Sequence, residues 1–95
     1  MMSNIEFLPF TGDYINLVEK TSGVYMIKNI LNNKYYIGSS LNIRRRLQCH
    51  SSRLNRSTHN NLHLQSAFNK YGRKAFVFSI LETCEPIIDT LTFLE

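Results

Sequence analysis

The sequence predicts a single α+β domain: a small three-stranded antiparallel sheet flanked by helices. Three observations lead there. Two short β-rich runs, Val24-Tyr25-Met26-Ile27 and Tyr35-Tyr36-Ile37, lie so close together that they pair as an antiparallel hairpin. Two stretches with apolar residues at helical spacing follow. The strongest strand signal, Ala75 to Leu81, comes only after those helices. With 95 residues there is room for one modest core, and a 43% hydrophobic content is that of a globular chain.

The elements follow in order. Residues 1–20 read as a lead ahead of the domain, broken by Pro9 and Gly12, with one helical turn around Tyr14–Glu19. Thr21-Ser22-Gly23 is a turn signal before the first strand. Asn32 and Asn33 give the hairpin connection the residues a tight turn favours, and Gly38-Ser39-Ser40 ends the second strand. Asn42 can cap a helix over Ile43–Leu54, where Ile43, Leu47 and Leu54 recur on one face. A second helix starts near Asn60-Asn61, carries Leu62, Leu64, Ala67, Phe68 and Tyr71, and stops at Gly72. After the third strand, Pro86 suits the first turn of a third helix with Ile87, Ile88, Leu91 and Leu94 as its apolar stripe. The order is β-β-α-α-β-α, and the domain is expected to span residues 21–95.

Charge placement narrows the function. All 11 basic residues lie between Lys20 and Lys74, and from Lys20 to Leu81 there is no carboxylate. His50, His59 and His63 fall in the same stretch. A middle segment of one sign projects a positive field, and the commonest acidic polymer for it is nucleic acid. No apolar run is long enough to span a membrane, and the N-terminus lacks the pattern of a secretory signal. Cys49 and Cys84 form no disulfide framework. An intracellular, non-secreted protein without membrane partners is expected. His59-x3-His63 with Cys49-His50 falls short of a zinc site, because no second close pair of ligands accompanies it. Gly38-Ser39-Ser40 lacks the longer glycine pattern and lysine of a nucleotide-binding loop.

Gly23-Val24-Tyr25, then Tyr36-Ile37-Gly38-Ser39-Ser40, then Arg44-Arg45-Arg46-Leu47 and His50, resemble the ordered motifs of the GIY-YIG nuclease family. Val24 stands where the family usually has isoleucine. The resemblance runs on through Asn61 to Gly72 and Phe76 to Glu82, is closest to the catalytic domain of mobile-intron and phage homing endonucleases, and covers about Ser22 to Glu95. It implies hydrolysis of DNA phosphodiesters with one Mg²⁺ or Mn²⁺ and no small-molecule cofactor.

The resemblance also implies roles. Tyr25 would be the base for the attacking water, which requires positive neighbours that favour its phenolate. Tyr36 would order that water or the phosphate. Arg46 would hold a phosphate oxygen through its always-charged planar fork. His50, one helical turn on, would position phosphate or pass a proton, although on its residues alone it can equally be a packing histidine. Glu95 falls at the distance of the family's metal-binding glutamate, and a single carboxylate is enough for Mg²⁺. Glu82 and Glu85 are poorer candidates near the strand exit. The family pattern continues past that glutamate, so the chain reads as a nuclease module cut just after its metal ligand. Arg44, Arg45, Arg46, Arg53 and Lys70, with His59 and Asn61 ahead of the second helix, are the expected track for the DNA backbone. The alternative is a non-catalytic nucleic-acid-binding module that uses the same basic face.

Overall fold

The computed structural model describes residues 6–84. The chain runs β1 (Leu8–Pro9), α1 (Gly12–Ile15), β2 (Ser22–Asn29), β3 (Tyr35–Ser40), α2 (Ile43–Asn55), α3 (Leu62–Tyr71), a 3-10 turn (Arg73–Ala75) and β4 (Phe76–Cys84). One antiparallel sheet in the order β1-β4-β2-β3 holds all four strands. The α+β class, the hairpin, the two helices and the late strand agree with the sequence expectation. The helix expected from Pro86, and Glu95 on it, lie outside the described residues.

The sheet differs from the expectation by one strand. Leu8 and Pro9 pair with Phe78 and Val77 on the outer edge of β4. Proline has no N–H to give a ladder, so it is tolerated at a sheet edge and not in a central strand. The helical turn also comes earlier than expected, at Gly12–Ile15 rather than Tyr14–Glu19.

Both long helices start where an asparagine can take up an orphan amide. The Asn42 side chain accepts from the Arg45 N–H at 3.1 Å, and the Asn61 side chain accepts from the Leu64 N–H at 3.0 Å. On α2 the buried residues are Ile43, Leu47, His50 and Leu54. They are four, three and four residues apart, one continuous face. The core joins that face to Ile27, Phe76 and Phe78 of the sheet, Leu64 and Phe68 of α3, and Phe10 and Ile15 near the N-terminus. His50 is therefore a polar residue set into an apolar seam.

Arg73 ties the N-terminal segment to the helices. Its guanidinium donates to the Phe10 carbonyl at 2.6 Å and to Asn55 Oδ1 at 2.7 Å. It also lies 5.5 Å from the Phe10 ring centroid and 5.2 Å from that of Phe68. Arg73→Ala removes a charged donor and leaves a carbonyl poorly satisfied. The expected loss is about 2 kcal/mol in urea denaturation; a loss of no more than a few tenths of a kcal/mol would show the arginine to be a surface ornament.

Candidate active site

The hairpin register brings the two tyrosines together. Tyr25 pairs with Gly38, and Tyr36 pairs with Ile27. Side chains alternate along strands, so Tyr25 and Ile27 of β2 and Tyr36 and Gly38 of β3 share the face covered by helices. The absence of a side chain at Gly38 makes room for Tyr25: a Cβ there would sit 2.6 Å from the ring's Cζ and still closer to its Oη. Gly38→Ala must displace the ring, at an expected cost of about 2 kcal/mol in thermal or urea denaturation. Unchanged stability would mean that the ring has space to give. On the other side of Tyr25 the β2–β4 ladder slips by one residue, with Val24 opposite Glu82 but Tyr25 opposite Ile80. Such bulges re-aim side chains beside functional sites. A Cβ at Gly23 would run into the Glu82 carbonyl, so the family's first glycine is required by this bulged approach.

A chain of hydrogen bonds leads away from Tyr25, which is only 1% exposed. Its Oη lies 2.6 Å from His50 Nε2. His50 Nδ1 lies 2.7 Å from His59 Nε2, and the two rings stack at 4.9 Å. His59 Nδ1 accepts the Asn61 backbone N–H at 3.0 Å. Tyr36 closes the other flank, its ring edge-on to His50 at 5.3 Å and 6.4 Å from that of Tyr25. Sequence reasoning missed Gln65, a buried side chain that locks the loop carrying His59. Its Oε1 accepts the His59 backbone N–H at 3.0 Å, while its Nε2 donates to the Leu54 carbonyl at 3.1 Å and to Asn69 Oδ1 at 3.0 Å. The signal was present as Asn61, Gln65 and Asn69, a polar row at four-residue spacing on one helix face.

Burial dominates the electrostatics. It raises the Tyr25 phenol above its ordinary pKa, and Tyr36 adds to the rise while the Arg46 guanidinium pulls it down. The expected positive neighbour is thus present, but at rest burial outweighs it and the phenol stays protonated. Burial, followed by the proximity of His59, Arg46 and Arg53, lowers the His50 pKa to about 4. His59 is lowered as well, first by burial and then by Arg53 and Arg46. Both rings are neutral near pH 7.

The remaining residues named from sequence fall in different places. Arg46 and Arg53 flank His50 on α2 at i−4 and i+3, and both are exposed. Arg45 is exposed on the same helix. Arg44 is engaged elsewhere, with its Nε donating to the Val18 carbonyl at 2.6 Å. Lys70 stands near the end of α3 with its Nζ 5.2 Å from the Tyr71 ring centroid. Asn61 borders a cleft of about 160 Å³ that is also lined by Tyr36, Lys34, Tyr35 and His63. Among the described residues no three His, Cys, Asp or Glu side chains gather where they could hold a metal ion. Those residues therefore do not by themselves make a metal site, and Glu95, the expected ligand, lies outside them. No helix among the described residues is long and apolar enough to cross a membrane.

Known proteins resemble this chain over most of its length. The GIY-YIG catalytic domain matches residues 21–93. Intron-associated endonuclease 1 of Enterobacteria phage T4 is 46% identical over 61 residues, which is 64% of this chain and 24% of that protein. Probable intron-encoded endonuclease 1 of Neurospora crassa is 38% identical over 66 residues, covering 70% of this chain and 20% of its own length. The chain thus spans about a quarter or less of these curated relatives. Among solved structures, the catalytic domain of homing endonuclease I-TevI aligns with a TM-score of 0.64 at 38% identity, covering 77% of this chain and 78% of that one. A mutant of the catalytic domain of intron endonuclease I-TevI aligns with a TM-score of 0.63 at 41% identity, covering 74% of this chain and 71% of that one.

Proposed function

The chain belongs to the GIY-YIG catalytic-domain family, and from that premise we propose that it is a metal-dependent endonuclease module that hydrolyses DNA phosphodiester bonds. The observation that carries this reading is the 2.6 Å contact between Tyr25 Oη and His50 Nε2, beside Arg46. A phenol held in that way has a lone pair to offer an attacking water once its own proton has left. The intron endonucleases among the relatives support placing the module with homing enzymes.

In this mechanism Tyr25 takes the proton of the attacking water. Arg46, exposed on α2 and close enough to act on Tyr25, binds a non-bridging phosphate oxygen. Negative charge on that oxygen grows in the transition state, so the contact strengthens as the reaction proceeds. The same guanidinium favours the Tyr25 phenolate. Tyr36, half-buried at the rim, orders the water. Both ring nitrogens of His50 are engaged, so it acts on Tyr25 rather than on the phosphate. Arg45 and Arg53 on the exposed side of α2 track the backbone. Glu95 is the proposed ligand of one Mg²⁺ or Mn²⁺, which supplies charge neutralisation at the phosphate.

A plasmid-nicking assay at low salt with Mg²⁺ or Mn²⁺, run beside Glu95→Ala, tests the reading. Metal-dependent nicking is expected, with a loss of at least about a hundredfold in the variant. DNA bound but uncut under both metals would replace the nuclease with a binding module. Equal cutting by the variant would move the metal ligand to another carboxylate.

A further inference from the structure

We infer that the His59–His50 pair is a one-way hydrogen-bond donor to Tyr25 Oη, with its direction set by the Asn61 backbone amide. The argument is one of proton counting. A backbone N–H can only donate, so the 3.0 Å contact from Asn61 requires a bare Nδ1 on His59. A neutral His59 then carries its proton on Nε2. That proton fills the 2.7 Å gap to His50 Nδ1, which must also be bare. A neutral His50 therefore carries its proton on Nε2 and donates it to Tyr25 Oη across 2.6 Å. Each of the three gaps holds one hydrogen, and all three point toward the tyrosine.

The direction has a chemical consequence. His50 cannot accept the proton of Tyr25, because its Nε2 is already protonated and its Nδ1 faces the N–H of His59. A second proton on His50 would place two hydrogens in one 2.7 Å gap. A second proton on His59 would face the Asn61 amide in the same way. The pair is thus held neutral by geometry, and burial, which lowers the basicity of both rings and in His59 outweighs a smaller rise from the Asn61 backbone, agrees with it. Its contribution is an N–H aimed at the phenolate oxygen. When the Tyr25 O–H bond breaks, the electron pair stays on Oη against that N–H and the proton goes to solvent. Asn61, His59 and Gln65 are positioning residues here: the amide sets the tautomer, and Gln65 holds the His59 backbone in place.

The relay rests on the ring geometry alone, and only its use in cutting depends on the nuclease reading. The test is therefore spectroscopic. Protein with ¹⁵N-labelled histidine, at pH 7.5 without DNA or metal, is measured for which ring nitrogen of each histidine bears the proton. Single Nε2–H tautomers for both His50 and His59 are expected. A proton on Nδ1 of His50, a doubly protonated ring, or a mixture of tautomers in either ring overturns the inference, whatever the protein does to DNA. A pair of variants tests the amide. Asn61→Ala loses the side-chain cap and keeps the N–H; Asn61→Pro loses both, at a position whose φ of −84° is within proline's reach. The alanine variant is expected to keep the wild-type tautomers, and the proline variant is expected to lose the single Nε2–H state of His59. Identical spectra from the two variants would remove Asn61 from the argument.

Discussion

Tyr25→Phe is expected to lower DNA cleavage by about 10³-fold, the scale of a lost general base, while DNA affinity stays within about twofold. In the proposed mechanism Tyr25 acts on the water while Arg45, Arg46 and Arg53, exposed on α2, hold the backbone, so removing its oxygen leaves the DNA contacts in place. The variant keeps the ring that fills the space over Gly38 and removes only the oxygen. Stability should fall too. The Nε2 of His50 loses its partner at 2.6 Å, and a buried polar group left unpaired costs about 1–3 kcal/mol. Cleavage and affinity must therefore be measured at a temperature where urea curves show both proteins folded. Retained cutting in the folded variant would take Tyr25 out of the chemistry and leave the hydroxyl as a structural partner of His50. A parallel fall in affinity and cutting would instead mean that the site collapses without the oxygen.

The difference between what the residues announced and what they hid follows from the range of each interaction. The hairpin was legible because its strands, its asparagine turn and its glycines are local. The helices were legible because Asn42 and Asn61 cap them within three residues and their apolar positions repeat. β1 was not, since two residues ending in proline become a strand only through Phe78 and Val77, far along the chain. Site residues divide in the same way. Tyr25 and Tyr36 stood out through motifs that a hairpin register turns into proximity. In the basic run 44–46 only the register against Gly38 singled out Arg46, and nothing in the sequence links Arg44 to the Val18 carbonyl that takes it. Gln65 looked like any polar helix residue until the loop at His59 folded back onto it. His50 held both possible roles, and the structure shows why: it is packed in the apolar seam of α2 and hydrogen-bonded to Tyr25 at once.

That double position makes stability depend on pH in a defined window. The unfolded chain protonates His50 near pH 6.5, and the folded chain resists protonation until about pH 4. Between those values the unfolded state binds a proton that the folded state does not. Stability therefore rises with pH in the window; it is complete above about pH 6.5 and is lost progressively as pH falls toward 4. The cost approaches about 3 kcal/mol for His50 across the window, and the lowered pKa of His59 acts in the same direction. For a domain with one modest core that is a large share of its stability. Urea denaturation at several values from pH 7.5 to 4.5 measures the slope. His50→Gln is the control, because a glutamine amide can accept the His59 N–H and donate to Tyr25 Oη without titrating. The wild type is expected to lose about 2 kcal/mol or more over this range, and the variant markedly less. Parallel curves for the two proteins would show that folded His50 takes up a proton as readily as the unfolded chain does, against a pair held neutral by its geometry.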